Sequence, residues 1–295
     1  MILIAGGTGR LGTLVVNVLV DRGLEVRVLT RDAQRAGLSN AGVEVMAGDV
    51  RDRKTLDSVV AGADIVISAV HGFTGPRGVS PASVDRDGNV NLIDAARVAG
   101  ANLVLLSTVG AAADSPMELF RMKYAAELYA ATSGVPTTVV RATAFLELWI
   151  EMLRQTAKRS GRPLVFGRGD NPINFVSVAD VAAVVELAVA DPGTRGQTLE
   201  IGGPDDLTFN QMAQAVLTAD GGTGTPRHIP PAALMLMANT VGRLNPQLGR
   251  QTRAALVMDR TDFTFDARPI HNSYPGLPCT ALVESLANDI GGRVS

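Results

Sequence analysis

Ile2-Leu3-Ile4-Ala5-Gly6-Gly7-Thr8-Gly9-Arg10-Leu11-Gly12 opens the chain, and its reading decides the fold. Four apolar residues run without a break into a glycine turn, and an amphipathic pattern from Leu11 to Arg22 follows directly. This order predicts strand, tight turn, helix. A lone glycine triplet is weak evidence, but one placed between a strand and a helix carries a specific physics. Gly6 permits the turn, Gly9 lets the backbone approach a diphosphate, and Gly12 lets helix and strand pack closely. The helix N-terminus then offers unpaired N–H groups and a partial positive charge to the phosphates, and Arg10, inside the loop, can add a second cation beside Arg31 for a 2′-phosphate. The sequence therefore predicts a dinucleotide site at Gly6, Thr8, Gly9, Arg10 and Leu11. The bland alternative is a glycine-rich connector without a ligand. A near-copy, Gly221-Gly222-Thr223-Gly224, follows a helical pattern, lacks the third glycine in register and precedes Pro226, so it reads as a turn.

Working outward, further apolar runs lie at Val26–Thr30, Val43–Met46, Ile65–Ala69, Leu103–Ser107 and Val135–Arg141. Helical patterns separate them at Lys54–Ala61, Ser83–Ala99 and Pro116–Thr132. Near-continuous apolar strands belong in a parallel sheet covered on both faces. Repeated βα units imply right-handed crossovers and an α/β, doubly wound Rossmann sheet. After Arg141 the rhythm changes: a helix at Phe145–Lys158, a strand at Leu164–Phe166, an extended segment at Asn174–Val178, a helix at Ala179–Ala190 and a strand at Thr198–Ile201. The predicted division is a nucleotide-binding domain over 1–145 plus about 174–202, with a smaller, interleaved C-terminal α/β lobe over 146–173 and 203–295.

Composition narrows the function classes. The 295 residues are 46% hydrophobic and carry a net charge of -2, which argues against nucleic acid or an anionic membrane as partner. The longest apolar stretch, near Ala232 to Val241, is too short to span a bilayer. The single cysteine, Cys279, has no internal disulfide partner, and a cytoplasmic location is expected. The three histidines, His71, His228 and His271, lack ligand spacing, so no metal is expected. Oligomeric state is not legible.

The end of the second strand bears on which dinucleotide binds. NAD-binding forms place an acid there for the ribose 2′-OH. Here Thr30 takes that place and Arg31 follows, a guanidinium suited to a 2′-phosphate. NADP(H) is therefore expected over NAD(H), although a one-residue shift would put Asp32 in the acid's place. Asp49 and Val50 follow the third strand beside the adenine pocket; Asp49 either accepts from the adenine amino group or, like Asp52, caps the helix from Lys54. Ala69 and Val70 end the fourth strand and should line the crevice. His71 opens a glycine-rich loop, and either contacts phosphate or substrate or has no ligand role.

These pieces together resemble the NmrA-like branch of the atypical short-chain dehydrogenase/reductases. The features that carry the resemblance are the glycine loop, Gly48-Asp49, Asp87-Gly88-Asn89 through Ala96, Lys123 with Glu127, Gly134-Val135-Pro136 before Arg141, and Asp180-Val181-Ala182. It covers about residues 1–200. It implies an extended Rossmann domain with a small C-terminal lobe over the nicotinamide, and relatives that reduce quinones, isoflavones and aryl ethers or act as NADP-binding redox-responsive regulators. Orthodox members carry Tyr-x-x-x-Lys on the helix after the fifth strand. Lys123 matches the lysine, but Leu119 stands where the tyrosine belongs, and Tyr124 points about 100° away round the helix.

Three consequences stand open. Lys123 itself moves the proton, or an easily reduced acceptor such as a quinone takes it from water, or the chain does not turn over. For Lys123 a surface pair with Glu127 is the bland alternative. Ser107 and Thr108 end the fifth strand, where orthodox members hold a hydroxyl; either can instead cap the turn. Thr143, Ala144 and Phe145 follow the sixth strand and should approach the nicotinamide. Phe145, Leu148, Trp149 and Met152 share a helical face, as core or as substrate wall. The expected function is an NADPH-dependent reductase of a small apolar or aromatic carbonyl or quinone, with a redox-sensing NADP(H)-binding regulator as the alternative. A nucleotide-sugar epimerase is disfavoured because that chemistry relies on the phenol.

Overall fold

Every residue of Ile2–Ala5 is buried, and this strand, β1, forms hydrogen-bonded ladders on both sides. The computed structural model describes residues 1–33, 42–76 and 78–291. The chain divides into two compact units, one of residues 1–142 and 181–201, the other of 143–180 and 202–295. The segment 174–180, expected with the nucleotide-binding domain, groups with the second unit, as do Thr143, Ala144 and Phe145.

The first unit runs β1, α1 (Arg10–Asp21), β2 (Val26–Thr30), β3 (Val43–Ala47), α2 (Arg53–Val60), β4 (Ile65–Ser68), α3 (Asp87–Ala99), β5 (Asn102–Thr108), α4 (Glu118–Ser133) and β6 (Thr137–Ala142). The second unit supplies β7 (Ala144–Phe145), α5 (Leu146–Ser160), β8 (Leu164–Phe166) and β9 (Pro172–Val176) before α6 (Val178–Ala190) leads back to the first unit and β10 (Thr198–Ile201). Seven strands form one sheet in the order β10-β6-β5-β4-β1-β2-β3, all parallel. The chain builds outward from β1 to β3, then crosses to the other side of β1 with β4. That reversal opens a crevice at the carboxyl ends of β1 and β4, the place where doubly wound sheets bind ligands.

Burial explains the apolar runs. Leu3 pairs with Arg27 on one side and Val66 on the other, and α2, α3 and α4 cover its face with Leu56, Val59, Leu92, Ile93 and Ala126. The helix expected over Ser83–Ala99 begins with a π-helical turn, Ala82–Arg86, before α-helical geometry takes over. Such turns cluster at functional sites, and this one carries Asp85. Asp52, not Asp49, caps α2 by accepting from the Lys54 N–H.

In the second unit β11 (Asp206–Thr208), β9 and β7 form a three-stranded sheet, and β12 (Arg227–Ile229) pairs with β8. Leu146, Ile150 and Leu153 of α5 pack with Phe175, Met212 and Val216, the last two from α7 (Phe209–Ala219). The buried stripe of α5 is thus 146, 150 and 153. Phe145 and Met152 are half-buried and Leu148 is exposed, whereas Trp149 meets Phe209 edge-on with ring centres 4.7 Å apart. The stretch at Gly221–Gly224 is a turn closing α7, with the Gly222 N–H donating to the Leu217 carbonyl at 2.8 Å. Among the described residues no helix is long and apolar enough to cross a membrane.

Candidate functional site

The glycine turn is built by sterics. Gly6 has φ +89°, which side-chain-bearing residues rarely adopt, and a Cβ there would sit 2.6 Å from the Ala69 carbonyl oxygen. A Cβ on Gly12 would lie 2.1 Å from the Gly6 oxygen. Gly9 differs. Its φ is -82°, open to any residue, and a Cβ would approach only the Gly6 oxygen at 3.3 Å. Gly7 is kept small by Val28 and Val16, a packing requirement. Protein atoms therefore demand glycine at 6, 7 and 12 and leave position 9 nearly open. Gly9 is the N-cap of α1, no side chain caps that end, and no acid lies in its first turn. The arrangement fits a diphosphate at the helix N-terminus.

Arg31 stands exposed beyond β2. Thr30 turns back locally, its hydroxyl accepting from the Asp32 N–H at 3.3 Å. Asp49 is engaged by Arg51, whose Nε lies 3.0 Å from Oδ1 and whose Nη2 lies 2.6 Å from Oδ2. Those bonds hold the Asp49 carboxyl below the usual range, offset in part by burial, with a smaller contribution from Arg31. Arg51 spends its remaining Nη1 on the Gly78 carbonyl at 3.0 Å. Val50 is buried against Gly88.

At the ends of β4 and β5 the structure gathers the candidates and adds others. Lys123 is only 6% exposed. Its Nζ donates to the carbonyls of Val70 and Leu106, each at 2.9 Å, and lies 3.1 Å from Oδ1 of Asp85. Two ammonium hydrogens thus have carbonyl acceptors, while Asp85 Oδ1 is ion-paired with the ammonium without accepting a hydrogen bond. Asp85 is fully buried, and its Oδ2 accepts from the Gly72 N–H at 2.8 Å. Lys123 is not the surface partner of Glu127. Glu127 is itself buried, paired with Arg141 at 2.6 Å, and accepts from the Ser107 hydroxyl. Ser107 is therefore committed to an internal network, and the Thr108 hydroxyl donates to the Val109 carbonyl at 3.3 Å. Ala69 closes the β1 ladder through its N–H to Ala5 at 2.8 Å. His71 keeps solvent access, yet protein crowds it enough to push the imidazole below its ordinary value; Asp85 opposes and Lys123 adds to that shift.

Ala144 and Phe145 form β7 in the second unit, both half-buried. Thr143 donates its hydroxyl to Oδ1 of the buried Asn174, which also accepts from the Gly203 N–H at 2.9 Å. Asp85 and Arg51 were missed in the sequence. Asp85 had one legible signal, an acid at the start of the helix whose Asp87-Gly88-Asn89 was singled out. Arg51 looked like an ordinary surface charge after Asp49. Among the described residues no three His, Cys, Asp or Glu side chains are grouped to hold a metal.

A parallel sheet with a glycine turn at its order reversal defines a dinucleotide-binding protein of the Rossmann class. The sequence model of the NmrA-like family matches residues 1–244, and the chain belongs to that family. An NAD(P)H azoreductase of Xenophilus azovorans is 32% identical over 224 residues, 75% of this chain and 74% of that protein. Quinone oxidoreductase 2 of Escherichia coli strain K12 is 24% identical over 98% of both chains. Among solved structures, an Escherichia coli NADPH-dependent quinone oxidoreductase complexed with NADPH shares the fold with a TM-score of 0.81 at 22% identity, covering 98% of this chain and 100% of that one. The Citrobacter sp. triphenylmethane reductase complexed with NADP(H) does so at 0.78 and 20% identity, covering 98% and 99%. With these relatives the chain is classed as an NAD(P)H oxidoreductase.

Proposed function

We propose that this chain is an NADPH-dependent reductase of a small quinone-type acceptor. The observation that carries the reading is the cradle at Gly9, an uncapped helix N-terminus where a Cβ would meet only the Gly6 carbonyl oxygen, at 3.3 Å. Gly6, Thr8, Gly9, Arg10 and Leu11 hold the diphosphate, and Arg31 pairs with the 2′-phosphate in place of a ribose-binding acid. Asp49 and Val50 border the adenine, while Ala69, Val70, Ser107 and Thr108 wall the crevice. Bound there, the nicotinamide supplies a hydride. Lys123 shapes the crevice through Val70 rather than by moving a proton, its ammonium being tied inward by two carbonyl hydrogen bonds and an ion pair with Asp85. The likeness to an azoreductase and a quinone oxidoreductase supports an acceptor that is aromatic and easily reduced.

The test is thermal stabilisation by NADP(H) and NAD(H), followed by NADPH oxidation with a quinone panel. A ligand that binds only the folded chain stabilises it by about 2.7 kcal/mol at a hundredfold excess over Kd. Arg31→Ala should remove most of the preference for NADP(H) and leave NAD(H) binding alone; an unchanged preference would falsify the 2′-phosphate assignment. Leu119 in place of tyrosine, together with a Lys123 held inward by two carbonyls, favours a second reading as a redox-sensing regulator. That reading predicts tight NADP(H) binding without oxidation by any quinone.

A further inference from the structure

The backbone on both sides of His71 is held by one buried ion pair. Val70, immediately before it, gives its carbonyl to Lys123 at 2.9 Å. Gly72, immediately after it, gives its N–H to Asp85 at 2.8 Å. Lys123 and Asp85 lie 3.1 Å apart with side-chain exposures of 8% and 0%. The loop beyond is packed against itself: a Cβ on Gly72 would lie 2.2 Å from the Ser80 carbonyl oxygen, and the Gly75 N–H donates to Gly72 at 3.2 Å. His71 thus has a rigid main chain at the carboxyl end of β4, directly after the crevice residues Ala69 and Val70.

Its side chain is placed differently from its backbone. The residue is exposed, and its pKa is lowered chiefly by neighbouring protein and also by Lys123, with Asp85 opposing. The charged groups that face it are Asp85, from the π-helical turn before α3, and Lys123, from α4. The Lys123 ammonium is held by two carbonyls and its ion pair with Asp85, Leu119 carries no acidic proton, and the Ser107 hydroxyl is committed to Glu127.

We propose that His71 is the proton donor to the reduced acceptor, presented to the crevice by the Asp85–Lys123 pair acting on the main chain at either side. The proposal rests on the quinone-reductase reading. Full reduction of a quinone to its hydroquinone adds one hydride and one further proton, with NADPH as the reductant, oxidised to NADP+. The imidazolium N–H bond breaks as the carbonyl oxygen of the quinone forms its O–H bond. The neutral imidazole regains a proton from solvent. An imidazole, which can lose and regain a proton in water at mild pH, is suited to that exchange.

The experiment compares the native chain with His71→Gln and His71→Asn, substitutions at a solvent-accessible position. kcat/KM for a benzoquinone is measured from pH 5 to 8 at saturating NADPH, and NADPH affinity separately by calorimetry. Proton NMR follows the three imidazoles in the chain without coenzyme, His71 being assigned by its loss in the variants. His71 is expected to titrate below 6.5, and the native kcat/KM to fall as pH rises through that value. Both variants should lose about a hundredfold in kcat/KM, the usual scale for a positioned acid, together with this pH dependence, while NADPH affinity stays within about twofold. Variants that keep native kcat/KM across the range overturn the proposal, as does a His71 signal that does not titrate between pH 5 and 8. A native chain that binds NADPH but reduces no quinone overturns the function reading itself, a result distinct from an active chain indifferent to His71.

Discussion

At the scale of single residues, the position of Lys123 changes what its removal should do. A surface pair with Glu127 would contribute a few tenths of a kcal/mol. A buried ion pair with Asp85 behaves otherwise, because deleting one partner leaves the other charged and desolvated. Asp85→Ala should cost about 3–5 kcal/mol in chemical denaturation. A loss under 1 kcal/mol would show that the pair is not buried as described. Asp49 offers a test through pH. Its folded pKa lies below the model-compound 3.8, chiefly because Arg51 bonds its carboxylate. A depressed folded value means that the contribution is complete above about 3.8 and fades as pH falls through the lower folded value. Arg51→Ala should move the Asp49 titration, followed by carboxyl NMR, up toward 3.8; no movement would assign the shift elsewhere.

At the scale of elements, the glycine turn and α1 separate folding from binding. Gly12→Ala pushes a methyl into the Gly6 carbonyl and should cost about 1–3 kcal/mol. Gly9→Ala meets no such obstacle, and an alanine N-cap should cost about 1 kcal/mol or less. The Gly9 variant is therefore expected to melt close to the native chain while losing at least tenfold in NADP(H) affinity by calorimetry. Equal affinity would mean that no ligand backbone or phosphate approaches position 9. The strands and this turn were legible because their signals are local: burial on both faces makes each strand continuously apolar, and close approach of main chain to main chain demands glycine. The π-helical turn was not. Its residues read as the first turn of one long helix, and only the hydrogen bond Asp85 accepts from Gly72 and its ion pair with Lys123 give the irregularity a purpose.

At the scale of the whole molecule, a net charge of -2 provides no general attraction for an anionic coenzyme. On the proposed reading, affinity comes from fixed local groups, the α1 N-terminus for the diphosphate and Arg31 for the additional phosphate. Raising ionic strength from 0.05 to 0.5 M should therefore weaken NADP(H) more than NAD(H), since only the former presents a phosphate to an exposed guanidinium. Equal weakening of the two, read by calorimetry, would remove Arg31 from the discrimination.

What followed from the order of residues alone was the α/β architecture, the glycine turn at its head, the absence of a tyrosine four residues before Lys123 and the family. Each depends on neighbours within a turn or a strand, where sterics and periodicity act directly. Only the folded chain decided what Lys123, Glu127, Ser107 and Asp49 do with their polar atoms. Lys123 reaches carbonyls 53 and 17 residues away, and Glu127 binds an arginine 14 residues on. Which buried charge meets which acceptor is set by the stacking order of β4, β5 and α4, and the cost of leaving any one unpaired selects an arrangement that no spacing rule encodes.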